Sequence, residues 1–215
     1  MKVEKMTSNG AGQLTLFLSG WAASPVQFNF LHSDSDVWIV YDYRDLDFPP
    51  IPDAYREVHL VAWSMGVWVA SQVVPHERLR SAIAINGTPY PVHDVWGIPR
   101  AVFQGTLERL DEANFARFCR RMCGSRTLGK QFEALNDRRI SELQEELSFL
   151  CREVETRIPR EDFPWSRALV SRLDHIFPAE NLRCYWSRAG VPIEELDAPH
   201  HPFHLWKSWE ELWMR

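Results

Sequence analysis

The chain has 215 residues, of which 45% are hydrophobic and 25% charged, with a formal net charge of -5 and a pI near 5.9. Such a chain is long enough for one globular domain with a substantial core. The acidic balance argues against nucleic-acid binding, which leaves a basic footprint, and no apolar run of about 18 residues is present to cross a membrane as a helix.

The first stretch, Met1 to Gln13, is polar, lacks an apolar core and predicts no secretory signal. Leu14 to Leu18 reads as a short apolar strand that ends at Ser19-Gly20. Val37 to Tyr41, His59 to Trp63 and Ala82 to Ile85 are further apolar runs, the last closed by Asn86-Gly87. Runs of this kind suit strands buried on both faces, as in a parallel sheet. Met65 to Val74 is compatible with a helix closed by Pro75, so the third and fourth runs bracket a βαβ unit. Phe48 to Pro52 is a proline-rich loop.

From Gly97 to Arg160 the pattern changes. Leu107 to Met122 and Asp137 to Glu155 carry apolar residues at helical spacing with no strand-like run. This predicts a helical insertion, 97–160, between core segments 1–96 and 161–215. The four cysteines, Cys119, Cys123, Cys151 and Cys184, form no CxxC pair. They read as reduced thiols, mostly buried, of a cytoplasmic protein. After the insertion Ala168 to Val170 reads as a strand, with Arg183 to Trp186 and Ile193 to Leu196 as weaker candidates. Phe203 to Met214 reads as a closing amphipathic helix, whose Trp206, Trp209 and Trp213 sit at helical spacing and suit the core. The fold class predicted is α/β, with a mostly parallel sheet.

Chemistry concentrates in Val58 to Trp68, where an apolar strand runs into Ser64 and a helix starts directly after it. A serine on such a turn is pushed out at the carboxyl edge of the sheet as a nucleophile. The turn needs small residues two before and two after, and Ala62 and Gly66 occupy those places. The usual pattern has glycine first; alanine adds one methyl. The same position makes the Met65 backbone N–H an oxyanion donor at a helix N-terminus. The bland alternative is a serine that caps a helix.

A serine nucleophile needs a base, and the base an orienting acid. In sheets with this turn the order is nucleophile, acid, base. His200 lies between the last strand candidate and the closing helix, where a base belongs, with His201 as its local rival and His204 inside the predicted helix. Adjacent histidines rarely share one ion, so no metal site is assigned to them. Asp174 follows the strand around Ala168 to Val170 and is the candidate acid; it competes with Asp197, on the connection to His200, and with a plain surface role. The loop after the first strand, Gly20-Trp21, offers the second oxyanion donor through the Trp21 N–H. Its indole walls an acyl pocket or simply fills the core.

Taken together, LFLSGW (16–21), YDY (41–43), VAWSMGVW (61–68), INGT (85–88), GIP (97–99), AVFQGTLE (101–108) and DHIFPAEN (174–181) resemble the BioG-type pimeloyl-acyl-carrier-protein methyl ester esterases of biotin synthesis. The blocks extend over nearly the whole chain. The resemblance implies an α/β-hydrolase fold in which the helical insertion is a lid, and removal of a methyl ester from an acyl-carrier-protein (ACP) substrate without a metal or organic cofactor. By position it makes Ser64 the nucleophile, His200 the base and Asp174 the acid. His200-His201-Pro202-Phe203 is also similar to the H-x-P-F segment of BioH-type esterases, which favours His200. The implied partner is acidic, yet this chain is net negative. Between Ala101 and Lys130, however, six basic residues stand against three acidic ones. Arg117, Arg120 and Arg121 share one helix face there, either a docking surface for the carrier or a solvated face. Two other readings remain at this level: a thioesterase or general short-chain esterase, and a non-catalytic protein on the same fold.

Overall fold

The computed structural model describes residues 1–6 and 12–214; residues 7–11, inside the polar amino-terminal stretch, and Arg215 lie outside the described set. Seven strands form one sheet: β1 (Lys2–Met6), β2 (Gln13–Leu18), β3 (Asp36–Tyr41), β4 (Glu57–Trp63), β5 (Leu79–Ile85), β6 (Arg167–Ser171) and β7 (Ile193–Leu196). Their order is β1-β3-β2-β4-β5-β6-β7. Every pair from β3 to β7 is parallel, and only β1 runs antiparallel, on β3. The parallel strands β2 to β6 are the apolar runs read above, and β4 is buried at six consecutive residues from Val58; β7, the weaker candidate, has the sequence IEEL and buries only Leu196. Apolar side chains on both faces need cover on both faces, which the helices supply. The predicted α/β class therefore holds.

β1 carries no apolar run, because its sequence, KVEKM, is mostly polar. It is an edge strand with one solvated side, and Lys5 lies over the Trp38 ring at 4.1 Å. Charge on an edge strand discourages pairing with a further chain.

α1 (Met65–Val73) follows β4 and stops at Val74, which is extended ahead of Pro75. Between β5 and β6 come α2 (Arg100–Glu108), α3 (Glu112–Met122), α4 (Arg126–Ala134) and α5 (Ile140–Thr156); α6 (Ala179–Arg188) lies between β6 and β7. The helix expected over 107–122 is two helices. Asp111 accepts the Asn114 N–H at 2.7 Å and starts α3 as its N-cap. α4 was not predicted, although Gly124 at φ +69° and the N-cap Ser125 mark its boundary.

Two expectations are corrected. Arg183 to Trp186 is not a strand but part of α6, where Leu182, Tyr185 and Trp186 turn one buried face to the sheet. Phe203 to Met214 is not a continuous helix but two short 3-10 turns, Phe203–Leu205 and Glu210–Leu212. Between them the backbone bonds to His32, whose N–H reaches the Lys207 carbonyl at 2.9 Å and whose carbonyl accepts the Trp209 N–H at 3.0 Å. Those bonds replace helical ones. Trp206 and Trp209 are nonetheless core residues.

Among the cysteines only Cys119 and Cys123 are buried; Cys151 is half-buried and Cys184 exposed, and all are free thiols. Burial pushes the Cys119 thiol up, and that of Cys123 to about 12. No helix of the described residues is long and apolar enough to cross a membrane.

Candidate active site

The sequence-order reversal in the sheet falls between β3 and β4, which lie on opposite sides of β2. The carboxyl ends of strands beside such a reversal form the natural crevice of an open parallel sheet. Ser64 follows β4 there and Gly20-Trp21 follows β2.

Ser64 has φ +59° and ψ -127°, a backbone that an L-residue holds only when its surroundings impose it. They do. Its N–H donates to the Ile85 carbonyl at 2.9 Å and its carbonyl accepts from Val67 N–H at 3.1 Å. A Cβ at Gly66 would collide with the Leu18 and Ser19 carbonyls, and one at Gly87 would collide with the Ser64 carbonyl. Ala62, where the usual pattern has glycine, is fully buried within β4.

The side chains of Ser64, His200 and Asp174 converge from three loops. Ser64 Oγ lies 2.9 Å from His200 Nε2, and His200 Nδ1 lies 2.7 Å from Asp174 Oδ2. The other carboxylate oxygen of Asp174 accepts the Ile176 and Phe177 N–H groups at 2.7 and 2.9 Å. The residues that follow Asp174 thus hold it. All three side chains are buried, and the Phe177 ring lies parallel to the imidazole.

The rivals lie elsewhere. His201 packs among Phe28, Trp63, Phe132 and Phe203. Burial, helped by the charges of His200 and His204, lowers its pKa to about 3. His204 and Asp197 are exposed.

Asn86, which directly follows β5, does more than close a strand. At φ +48° its side-chain amide donates to Ser171 Oγ at 2.8 Å and to the His200 carbonyl at 2.9 Å, while its Oδ1 accepts the Ser171 N–H at 2.8 Å. The Trp63 indole donates to the same His200 carbonyl at 2.8 Å. The histidine loop is therefore fixed at its backbone. The Asn-Gly pair at a strand's carboxyl end was the available signal.

Gly20 abuts the serine: a Cβ there would lie 3.0 Å from Ser64 Cβ. Trp21 and Met65 line a narrow pocket of about 30 Å³ together with Ser64, His200 and the apolar side chains of Ile98, Phe103, Met122 and Leu147. The Trp21 indole meets Phe118 edge-on and donates to the Leu143 carbonyl of α5 at 2.9 Å. Val102, Thr106, Phe118 and Arg121 line this pocket and also an adjoining open groove of about 820 Å³. Arg109, Arg117, Arg120, Arg126 and His175 line the groove as well. Arg117, Arg120 and Arg121 are all exposed.

The family model described as "Pimeloyl-ACP methyl esterase BioG" matches residues 1–212. A crystal structure titled as BioG from Haemophilus influenzae is 37% identical, covers 99% of this chain and 100% of that one, and superposes with a TM-score of 0.91. A Bacteroides fragilis protein named malonyl-[acyl-carrier protein] O-methyltransferase is 42% identical over 198 residues, which are 90% of this chain. The chain spans only 40% of that relative's length. An esterase from Exiguobacterium antarcticum, 15% identical with a TM-score of 0.68 over 94% of this chain and 88% of its own, shares the α/β-hydrolase fold.

Proposed function

The chain belongs to the BioG family of pimeloyl-ACP methyl esterases, and from that premise we propose that it hydrolyses the methyl ester of pimeloyl-ACP methyl ester to pimeloyl-ACP and methanol. It would do so as a serine esterase of biotin synthesis in the cytoplasm. The observation that carries the catalytic part is the hydrogen-bonded chain Ser64–His200–Asp174 at a strand–helix turn.

In this reading Ser64 Oγ attacks the distal ester carbonyl and passes its proton to His200 Nε2. Asp174 accepts the Nδ1–H, which fixes the tautomer that leaves Nε2 free to accept and stabilises the imidazolium that forms. Negative charge gathers on the former carbonyl oxygen, opposite the N–H groups of Met65 and Trp21. His200 then gives its proton to the departing methoxide, and methanol leaves an acyl-Ser64. Water, deprotonated by His200, attacks the acyl-enzyme, His200 returns that proton to the departing Ser64 Oγ, and the free carboxylate leaves. These proton transfers are complete without a metal or organic cofactor.

The pocket's apolar lining matches an alkyl chain in polarity, and its volume of about 30 Å³, about that of one water, must widen to admit one. The groove beside it suits the carrier end, with Arg117, Arg120 and Arg121 facing an acidic partner. Complementary charge of this kind speeds encounter and fixes orientation. Segment 97–160 acts here as a lid over a hydrolase core made of 1–96 and 161–215. The name of the Bacteroides fragilis relative raises methyl transfer as a competing activity. A buried serine paired to a histidine and a carboxylate favours acyl transfer to water, because moving a methyl group needs no such nucleophile.

The test is hydrolysis of pimeloyl-ACP methyl ester against a simple butyrate ester, by wild type and Ser64→Ala. The expected result is preference for the carrier-bound ester, with both activities and fluorophosphonate labelling lost in Ser64→Ala. Hydrolysis that survives Ser64→Ala refutes the mechanism, and equal use of both esters refutes the substrate.

A further inference from the structure

The proposed mechanism leaves one buried acid unused. Glu146, on α5, is fully buried. Its Oε1 accepts the Tyr43 N–H at 2.9 Å; its Oε2 accepts from Arg138 Nη1 at 2.7 Å and from the Ala22 N–H at 3.4 Å. Arg138, nearly as buried, continues to Asp42 Oδ1 at 3.0 Å. Burial, with the nearby Asp42 charge, raises the Glu146 carboxyl on balance, against the pull of Arg138 and the Tyr43 N–H. Every group that reaches it is an N–H donor, which is the company of a carboxylate.

The Ala22 contact sits beside the reacting centre. Ala22 follows Trp21, whose N–H is a candidate oxyanion donor, and it holds φ at +65°. A left-handed backbone at a residue other than glycine persists where the surroundings over-determine it. Here the surroundings are the helical insertion. Leu143 accepts the Trp21 indole N–H at 2.9 Å, Glu146 accepts the Ala22 N–H, and Asn136 donates to the Ala22 carbonyl at 3.0 Å. From the core side Tyr43, whose N–H Glu146 also holds, donates its hydroxyl to the Ser19 carbonyl at 2.8 Å. One carboxylate therefore joins the loop after β2 to the loop after β3.

We propose that Glu146 is a positioning residue for the oxyanion loop: with Arg138 it clamps the Gly20-Trp21-Ala22 turn onto α5 and so sets where the Trp21 N–H points. The proposal rests on the esterase reading above. It makes the insertion part of the catalytic geometry as well as a cover. The clamp contributes when charge develops on the oxygen, not when the ground state binds, so its loss lowers kcat and spares KM.

The experiment compares wild type, Glu146→Gln, the paired Arg138→Met/Glu146→Met and Asn136→Ala on a p-nitrophenyl butyrate assay. Affinity for an alkyl boronic acid, which forms a tetrahedral adduct on serine, is read in parallel. Glu146→Gln turns an amide N–H toward existing donors, so kcat is expected to fall about tenfold to a hundredfold, with KM within about threefold of wild type. Boronate affinity is expected to fall by a similar factor. The paired variant removes the Glu146 and Arg138 charges together and leaves Asp42 to Lys2 and Arg44, a change that proteins tolerate well when packing is kept, yet it still lacks the acceptor for Ala22, so its kcat stays low. A folded Glu146→Gln with kcat within about threefold of wild type overturns the proposal. So does recovery of kcat in the paired variant, because the loss would then come from the stranded Arg138 charge. If the Glu146 variants do not fold, the half-buried Asn136→Ala decides: a kcat loss of about threefold or more supports the clamp, and unchanged kcat overturns it. Ser64→Ala on the same ester separates the two levels. Undiminished hydrolysis there refutes the esterase reading itself, whatever Glu146 does.

Discussion

Gly66→Ala is the most direct probe of the turn that carries Ser64. The new Cβ would lie 2.8 Å from the Leu18 carbonyl carbon, and the Leu18 and Ser19 oxygens would be closer still. Carbon atoms in contact sit at about 3.5 Å or more. These neighbours are backbone atoms at the end of a central strand, so no side chain can swing aside, and the start of α1 must shift by about 1 Å. Overpacking of this kind costs about 1–3 kcal/mol, which in a chain of this size lowers Tm by about 3–10 °C. A displacement of about 1 Å at the reacting groups costs on the order of a hundredfold in kcat. Gly105→Ala is the matched control for stability, because nothing lies within 4 Å of its Cβ and it sits inside α2. There the same substitution is expected to raise stability by about 0.5–1 kcal/mol. Ester hydrolysis at saturating substrate and thermal unfolding followed by circular dichroism measure both. Wild-type kcat and Tm in Gly66→Ala would refute the close-approach reasoning.

The remaining predictions concern charge. Arg117→Glu with Arg120→Glu is expected to raise KM for the carrier-bound ester at least about tenfold more than KM for a butyrate ester, since rim charges act on encounter; equal changes on both substrates would refute carrier docking at this groove. His201, lowered by burial to about 3 from its ordinary value of 6.5, stays neutral in the folded chain while the unfolded chain takes up a proton as pH falls. Its contribution to stability is therefore whole above pH 6.5 and is lost toward pH 3, amounting to about 2 kcal/mol between pH 7.5 and 5. Denaturant unfolding at the two pH values should show this loss, and His201→Phe should remove most of it. A pH slope unchanged in the variant would refute the assignment. Asp42 adds loss at lower pH: burial works to raise its carboxyl, but Arg44, Lys2 and Arg138 outweigh it and hold it at about 2, so that share disappears only as pH falls through the range from 4 to 2.

What could be read from the sequence was whatever is encoded locally. The parallel strands β2 to β6 announced themselves because burial on both faces demands near-continuous apolar residues, whereas the outer β7, with two glutamates, gave a weaker signal. The turn at Ser64 was legible because a strand, small flanking residues and a helix must follow one another along the chain. β1 was illegible for the converse reason, since an edge strand with one wet side carries no apolar run. The closing helix failed because spacing reports which residues are buried, and Trp206 and Trp209 are buried whether the backbone between them is helical or bonded to His32. The choice between His200 and His201 rested on resemblance. Tertiary structure places His200 against Ser64 and Asp174, and His201 in an aromatic cage. The same division applies around the serine. Its place at the carboxyl edge of the sheet follows from a few neighbours in sequence, whereas the partners that would activate it come from loops more than a hundred residues away. The hold of Glu146 on the Ala22 N–H, 124 residues apart, is of the same kind. Hydrogen bonds of that span leave no periodicity in the chain, because they depend on where the sheet and the insertion bring distant backbone groups together.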